Sequence, residues 1–489
     1  MKKTISAFLT CCMLPLGACA VGPDFKEPDS HAPRSYTAPE DAPMPADQHL
    51  LSGRALDGNW WDQLGSPALD DLVKLALSSN QSIQAAKARV AEVDEQVAAA
   101  KGALLPQASL AAQNGRQKYG ATMFGPLNIN VPPYTYYSAG ANLSIPLDLF
   151  GGGRRTVEEN QARAEYQRDE LDAAYLSLTG NIVMQALVAA SGQAQVAAMN
   201  RVIASDQKIV ELQRMAVDQG AAPDARLLEA ENQLAMDKAQ LPVIAKRITE
   251  ARHALAILVG KAPADWSPPS FSLDDFTLPR DIPAALPSEL VHRRPDILAA
   301  EAQLHAASAA IGIATANLYP RIDLSAAYAF QSLTPGALFN GSGAAWSLAA
   351  SLIQPLYDGG QLSAQRRASI DAYRAALADY RQVLLTSFGD VADRLQALSE
   401  DGDQLGAQNA VLQSATSSLK LARTGHAEGY TNMLDLLARE RLAALAEIAV
   451  TEARAQRFAD TASLFLSLGG SHMAPEIAAQ EADNTVPEN

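Results

Sequence analysis

The residue types that most often do chemistry in proteins are few in this sequence, and their placement is unfavourable for catalysis. Its three cysteines, Cys11, Cys12 and Cys19, all lie at the start of the chain, and its seven histidines are scattered. No two histidines form an HExxH-type pair on one helix face. The glycine run at 151–153 lacks the GxxxxGK[ST] spacing of a phosphate loop, so we interpret it as a turn that begins a helix. We predict no catalytic site, no metal and no dissociable cofactor.

The start of the chain gives one cysteine a chemical role. Lys2 and Lys3 precede an apolar run at 5–16, which is too short for a membrane-spanning helix of roughly 20 residues. Small residues then precede Cys19, which completes the order of a secretory signal peptide. The sequence LGAC resembles the lipobox of bacterial lipoproteins, which implies cleavage after residue 18. It also implies N-acyl and S-diacylglycerol groups on Cys19. The alternative is an ordinary signal peptide with an incidental cysteine.

Loss of residues 1–18 would remove Cys11 and Cys12 and leave a mature chain without free thiols, which suits an oxidising periplasm. Ala20, not aspartate, follows the lipidation site, so the resemblance implies delivery to the cell outer membrane with the chain extending into the periplasm. A single acyl anchor binds a membrane only marginally. We therefore expect further contacts between this protein and outer-membrane lipid.

Composition narrows the class of protein. A formal net charge of −15 argues against binding to nucleic acid. Hydrophobic residues make up 48% but aromatic residues only 6%, because alanine is abundant, and alanine-rich sequence with periodic leucine is typical of long packed helices. The proline-rich residues 19–58 predict a lipid-anchored N-terminal tether. The acidic residues 471–489 predict a disordered tail.

The distribution of prolines permits very long helices. No proline occurs between Leu147 and Ala222 or between Leu356 and Ala474, and proline breaks helices. Apolar residues recur there at spacings of three and four: Leu377, Tyr380, Leu384, Phe388, Val391, Leu395 and Leu398. A helix of about 60 residues is roughly 90 Å long, which indicates a coiled-coil or tubular assembly instead of a compact core.

The two helical regions belong to two copies of one plan. SIQAAKA at 82–88 matches DILAAEA at 296–302, and at the same offset LLPQASL matches LYPRIDL. Farther along, Gly220 and the leucines after it match Gly429 and its own following leucines. These ordered matches predict a duplicated helix–strand–strand–helix repeat. We place the first repeat at 59–280 and the second at 281–470.

Each repeat contains two segments that alternate like β-strands. RIDLSAAYAFQ (321–331), WSLAASLI (346–353) and YYSAGANLSI (136–145) have one apolar face, and QASLAAQ (107–113) is weaker. Such segments fit outer-membrane barrel strands, although one-sided strands of a soluble sheet are the alternative. The smallest spanning barrels need about eight strands. Four strands per chain therefore predict a barrel shared by several chains.

Three stretches resemble a known family: CAVGPDFKEP, NWWDQLGSPALDDLVKLALSSN, and RRPDILAAEAQLHAASAAIGIATANLYPRIDLS. They are similar to the outer-membrane factor lipoproteins, the TolC-like channels of tripartite efflux systems, in the NodT-type branch. The resemblance runs from Cys19 to about Gly470, and Leu64 departs from it where the family more often has an aromatic residue. It implies a mainly α protein with a membrane β part. It also implies a homotrimer with a 12-strand β-barrel, continued by a long periplasmic α-helical barrel.

The resemblance also implies roles for the two helix-to-helix turns. They would form the periplasmic tip, where an adaptor docks on these residues: Gly220, Ala221, Ala222, Pro223, Gly429, Tyr430, Thr431 and Asn432. Leu434 would be a hydrophobic constriction of the periplasmic gate, and Asp435 and Arg441 its charged ring or interchain latch. The family often has an acid at the position of Ala438, so the residues of the acidic ring stay open.

The leading hypothesis is a passive outer-membrane channel of a tripartite efflux system. A periplasmic adaptor (membrane-fusion) protein would open it, and an inner-membrane pump would supply the work. A structural coiled-coil lipoprotein that spans the envelope without a pore is the alternative, and an envelope enzyme is a weaker one. The sequence leaves open the exported substrate, the pump class (proton-driven or ATP-driven) and the resting state of the gate.

Overall fold

The computed structural model describes residues 20–37, 47–54, 56, 59–120 and 131–470. The predicted signal peptide, the lipidation site Cys19 and the acidic tail at 471–489 lie outside the described residues, as does part of the predicted tether. The described part of the chain is mostly helical, which agrees with the long helices indicated by its composition and with the mainly α class implied by the family resemblance.

Eight α-helices are found in the described residues, and six of them are long. In chain order they are α1 Pro67–Ser79, α2 Gln81–Gly102, α3 Gly152–Asp218, α4 Asp224–Leu258, α5 Pro287–Leu290, α6 Pro295–Ala316, α7 Gln361–Ala427 and α8 Met433–Ser467. Helix α4 continues through Pro242, which a proline-based prediction would have placed outside a helix. Helices α3 and α6 each contain a stretch apolar enough to cross a membrane, but about half of that stretch is buried inside the protein.

The helix lengths repeat along the chain. Helices α3 and α7 have 67 residues each, α4 and α8 have 35 each, and α2 and α6 have 22 each. Two strands lie between α2 and α3, and two more between α6 and α7. Equal lengths in the same order are what an internal duplication produces. The repeat boundaries at 59–280 and 281–470 stay a prediction.

Within the described ranges, six strands form two sheets: β1 His49–Ser52, β2 Gln107–Gln117, β3 Tyr134–Leu147, β4 Asp281–Ala284, β5 Arg321–Ser332 and β6 Ala344–Ile353. Strands β1 and β4 form a parallel pair. The other four form an antiparallel sheet in the order β2–β3–β5–β6. Strand β2 extends to Gln117, beyond the predicted end at Gln113, because it stays paired with the first residues of β3 up to Gln117 opposite Tyr134.

The chain divides into two compact units, each containing parts of both predicted repeats. The described residues of the first lie within Met1–Pro28, Val90–Gln167 and Ala300–Tyr380, and they contain the four-stranded sheet. In it, the segment after Cys19 is fixed to the start of α3: the side chain of Arg155, 5% exposed, donates to the Val21 carbonyl and to Asp24. Gly22 has φ +98°, and a Cβ there would lie 2.5 Å from the Cα of Gly312, so glycine is required.

The second unit comprises Asp29–Arg89, Arg168–Ala299 and Arg381–Asn489, and its described residues contain the main hydrophobic core. Trp60 is fully buried and donates from its indole to Thr179 (3.1 Å). Leu64 is also fully buried, so an aliphatic side chain fills the position where the family more often has an aromatic residue. Arg294 of the Arg-Pro-Asp block donates to the last carbonyl of α8, that of Ser467, at 3.0 Å. That block therefore fixes a helix end.

Candidate functional site

The two helix-to-helix turns, at 219–223 and 428–432, share one backbone geometry. Gly220 and Gly429 have φ +66° and +83°, in the left-handed region that glycine tolerates best. In each turn the amide after the glycine donates to the carbonyl five residues earlier, at 2.7 Å. An ion pair then joins the two helices that each turn connects: Arg214–Glu231 (2.7 Å) in the first hairpin. The second has its equivalent in Arg423–Glu440 (3.0 Å).

The side chains of the two turns differ. The first turn has alanines and a proline at 221–223, and Pro223 cannot cap α4 with its side chain. In the second, Asn432 accepts from the amide of Asp435 (2.8 Å) and donates to its carboxylate (2.9 Å), which caps α8. His426 donates from Nδ1 to the Thr431 carbonyl at 2.9 Å. The second turn is therefore more polar than the first and is held by more side-chain hydrogen bonds.

All eight predicted docking residues lie in these turns, and most are exposed. Tyr430 is the most prominent, with 85% of its surface exposed. Leu434 is half-buried near the start of α8, whereas Asp435 is exposed and engaged by Asn432. Within one chain, therefore, Asp435 interacts with its own helix cap.

Arg441 binds two other carboxylates of the same chain. Its Nη2 donates to Asp237 Oδ2 on α4 at 2.6 Å, and its Nε lies 3.2 Å from Asp206 Oδ1 on α3. Gln233 also donates to Asp237, at 3.0 Å. Because α3 and α4 form the first hairpin and α8 belongs to the second, Arg441 ties the two hairpins together.

Burial makes this cluster electrostatically unusual. The side chain of Asp206 is 3% exposed, and burial, then its hydrogen bond to Asp237, raises the pKa of Asp206 to about 7. Burial alone would also raise the pKa of Asp237, but hydrogen bonds from Asp206, Arg441 and Gln233 hold it below its usual value. The two carboxyl groups therefore differ in protonation near neutral pH.

Asp206 and Asp237 were not among the predicted site residues. A signal for Asp206 was present in the sequence, since it follows Val202 and Ile203 and precedes Val210 on the buried face of α3. An acid within an apolar stripe is costly unless it has a partner. No comparable signal marks Asp237.

A second acid pair lies elsewhere in the same unit. Asp401 of α7 interacts with Asp460 of α8, and burial, then this hydrogen bond, raises the pKa of Asp401 to about 7. Asp460 also lies 3.4 Å from Arg394. The buried Arg457 acts on Asp401 and binds Asp47, just before β1.

The four-stranded sheet has two chemically different faces, because residues opposite each other in an antiparallel sheet share a face. One row across it is apolar: Leu110, Ala141, Tyr328 and Trp346. The neighbouring row faces the other side, and its side chains are small or polar: Ser109, Asn142, Ala327 and Ser347. Several apolar side chains are exposed in the single chain, 89% for Leu110 and 73% for Trp346.

The outer strands of this sheet, β2 and β6, each pair on one side only among the described strands. The described residues contain no group of three or more His, Cys, Asp or Glu side chains that could hold a metal ion. A free sheet edge exposes unpaired backbone N–H and C=O groups that can pair with another strand. An exposed apolar face of this size is typical of a surface that contacts a membrane or another protein.

Comparison with known proteins identifies this architecture. The structure aligns with that of the outer-membrane channel OprN, with a TM-score of 0.81, 27% identity, and 93% of this chain and 99% of that chain covered. The pyoverdine export outer membrane protein OpmQ of Pseudomonas aeruginosa is 29% identical, over 95% of this chain and 96% of its own length. Nodulation protein T of Rhizobium leguminosarum bv. viciae is 28% identical, over 98% and 96%.

The fold is that of an outer-membrane channel. The sequence profile of the family described as "Outer membrane efflux protein" matches residues 72–261 and 286–470, and the chain belongs to this family. The predicted family, the outer-membrane location and the function as an efflux channel are thereby confirmed. The family is made up of channel proteins and not of enzymes.

Proposed function

We propose that three copies of this chain form one outer-membrane export channel with a shared 12-strand β-barrel and a periplasmic α-helical barrel. The observation that carries this proposal is the two-faced sheet with free edges at β2 and β6. Open edges are not tolerated in hydrocarbon, so each β2 edge must pair with a β6 edge of a neighbouring chain. The apolar row containing Leu110 and Trp346 would then face lipid, and the row containing Ser109 and Ser347 would line the lumen.

The contact between the segment after Cys19 and the start of α3 places the lipid anchor near the barrel. The segment that begins at Ala20 is held by Arg155 at the start of α3, a few residues after β3 ends. A diacylglycerol and an acyl chain on Cys19 would therefore enter the membrane beside the periplasmic rim of the barrel. The anchor and the barrel together supply the two membrane contacts that stable attachment requires.

The two helix turns form the periplasmic tip in this proposal. A periplasmic adaptor docks on the exposed residues of both turns, and an inner-membrane pump delivers the substrate to the channel. Leu434 and Asp435 of three chains converge on the axis and narrow the lumen. Arg441 holds the second hairpin to the first, so the channel opens when an adaptor binds the unlatched form better.

The docking surface is tested by crosslinking in living cells. With residues 1–18 removed and Cys19 lipidated, the mature chain would have no free thiol, so a single cysteine at Tyr430 can carry a photo-crosslinker. Tyr430→Cys is preferable to a change at Asn432, because Asn432 caps α8. We expect capture of a periplasmic adaptor from Tyr430→Cys and from Ala221→Cys. A matched label at Lys246→Cys, on the exposed side of α4, should capture none.

The shared barrel is tested by disulfides between neighbouring chains. A cysteine at Ser109 on β2, combined with cysteines placed one at a time along the same face of β6, should give a covalent trimer at one register. A control chain with two cysteines on β2 and none on β6 should form no covalent trimer. A monomer at every register, together with no ion conductance in a lipid bilayer, would support the poreless envelope spacer instead.

A further inference from the structure

The cluster of Asp206, Asp237 and Arg441 contains one negative charge too many for its environment. The side chains of the two acids are 3% and 11% exposed, and that of Arg441 is 21% exposed. Two carboxylates against one guanidinium leave a net charge of −1 in a site largely closed to water, which is unfavourable. One proton shared by the two carboxyl groups makes the cluster neutral.

The contacts indicate which of the two carboxyl groups carries that proton. Asp237 Oδ2 accepts from both Arg441 and Gln233, as an ionised carboxylate does. Asp206 Oδ2 is buried and has no hydrogen-bond donor, and Arg441 Nε faces Asp206 Oδ1 without forming a hydrogen bond. Protonation of the Asp206 carboxyl would resolve this, because its O–H could then donate to the Asp237 carboxylate. The raised pKa of Asp206, about 7, agrees with this assignment.

The charged groups around Asp206 come from three helices. Asp237 of α4 and Arg441 of α8 act on it directly. The flanking charges on these helices form exposed ion pairs of their own, Arg201–Glu447 on one side and Arg214–Glu231 on the other. Asp206, Gln233 and Arg441 line a cavity of about 280 Å³, together with apolar side chains such as Ile209. The Asp206 side chain is only 3% exposed, so separation of the helices at this cavity would increase its contact with water.

We propose that Asp206, Asp237 and Arg441 form a proton-dependent latch between the two helix hairpins, so that protons in the periplasm favour the closed tip. The inference rests on the proposed function of the turns as the periplasmic gate. When the shared proton leaves, the buried excess charge opposes the contact between α8 and the α3–α4 hairpin. We call this cluster the acid-pair latch.

The sign of the pH effect follows from the two carboxyl groups. Asp206 has a raised pKa in the latched state, so its contribution is full below the ordinary aspartate pKa of 3.8 and is lost as the pH rises to about 7. Asp237 has a lowered pKa, so its contribution is lost only at pH values below its ordinary range. Between pH 5 and 7 the latched-to-open ratio should fall about tenfold per pH unit, provided that opening returns Asp206 to water. Above about pH 7.5 it should be constant.

The second acid pair offers a matched control. Asp401 and Asp460 also share a hydrogen bond, but Arg457 and Arg394 supply two guanidinium groups, and Arg457 is tied to the segment before β1. Neither acid touches Arg441 or the turns in the described structure. Replacement of Asp401 by asparagine therefore changes a buried acid of the same type without touching the acid-pair latch.

The test measures tip opening directly. Full-length trimers carrying a spin label at Tyr430→Cys are reconstituted in nanodiscs, and distances between the three labels are recorded from pH 5 to 8. In the otherwise unchanged chain, the fraction of long distances should increase from pH 5 to 7 and then level off. Asp206→Asn mimics the protonated acid and should stay latched at every pH. Asp401→Asn should keep the parental profile.

Three results would overturn the acid-pair latch: a flat profile in the parent, a parental profile in Asp206→Asn, or loss of the pH response in Asp401→Asn. If Asp206→Asn does not assemble, Asp206→Glu keeps the acid pair and should retain the pH response. Measurements of conductance and of adaptor capture distinguish failure of the acid-pair latch from failure of the proposed function. A trimer that conducts and captures an adaptor but shows no pH response refutes the latch alone, whereas absence of trimer and conductance refutes the proposed function.

Discussion

The two helix hairpins, α3–α4 and α7–α8, have the same lengths and the same turn hydrogen bonds but different side chains. The first turn has alanines and an N-cap proline that makes no side-chain cap hydrogen bond, whereas the second has Asn432, Asp435 and His426. Arg441 of the second hairpin occupies the position that Asn232 occupies in the first. The two hairpins therefore share a backbone, whereas the side-chain cap of the turn and the guanidinium that reaches Asp206 and Asp237 occur only in the second.

The largest expected difference between the hairpins concerns Arg441. Arg441→Ala leaves Asp206 and Asp237 buried without their cation, which should weaken the contact between hairpins by about 3 kcal/mol. Asn232→Ala, at the equivalent position of the first hairpin, should change it by less than about 0.5 kcal/mol. Amide hydrogen exchange of α8 measures the loss of stability in each variant. Equal effects at the two positions would show that the hairpins are energetically equivalent and that Arg441 is no latch.

The turn glycines should show the opposite pattern, an equal effect in both copies. Gly220 and Gly429 have left-handed φ values, and a Cβ at either position would meet no atom within 4 Å. Gly220→Ala and Gly429→Ala should each cost about 1–2 kcal/mol, because the cost is conformational and not steric. Hydrogen exchange of the amides after each glycine gives the comparison. A much larger loss at one turn would mean that its backbone is held by contacts outside the hairpin.

The cap of α8 should produce a smaller effect confined to the second hairpin. Asn432→Ala removes the acceptor of the Asp435 amide and should destabilise the first turn of α8 by about 1 kcal/mol. Pro223→Ala removes no side-chain cap from α4, so its effect should be smaller. Exchange rates at the first amides of each helix distinguish the two. Similar losses would show that the cap hydrogen bond contributes little beyond backbone rigidity.

Sequence patterns were sufficient to predict those helices and strands that depend on residues close together in the chain. The proline-free intervals predicted the regions of α3, α7 and α8, and alternation at 321–331 predicted β5 almost to the residue. The partners of Arg441 could not be predicted, because Asp237 lies 204 residues away and the hydrogen bond depends on how two hairpins pack. The end of β2 was also missed, since pairing with β3 carries it past its own weak alternation. The roles of Leu434 and Asp435 depend on neighbouring chains and stay predictions.

The smallest difference should be found in the ion pairs that close each hairpin. Arg214–Glu231 and Arg423–Glu440 occupy equivalent positions, but Glu440 is 28% exposed and Glu231 39% exposed. Exposed pairs contribute at most about 1 kcal/mol and are screened by salt. Arg214→Ala and Arg423→Ala should therefore each cost less than about 1 kcal/mol at low salt, with the loss vanishing near 1 M salt. A loss at Arg423 that persists in high salt would place a buried contact there and would extend the asymmetry of the hairpins to their ion pairs.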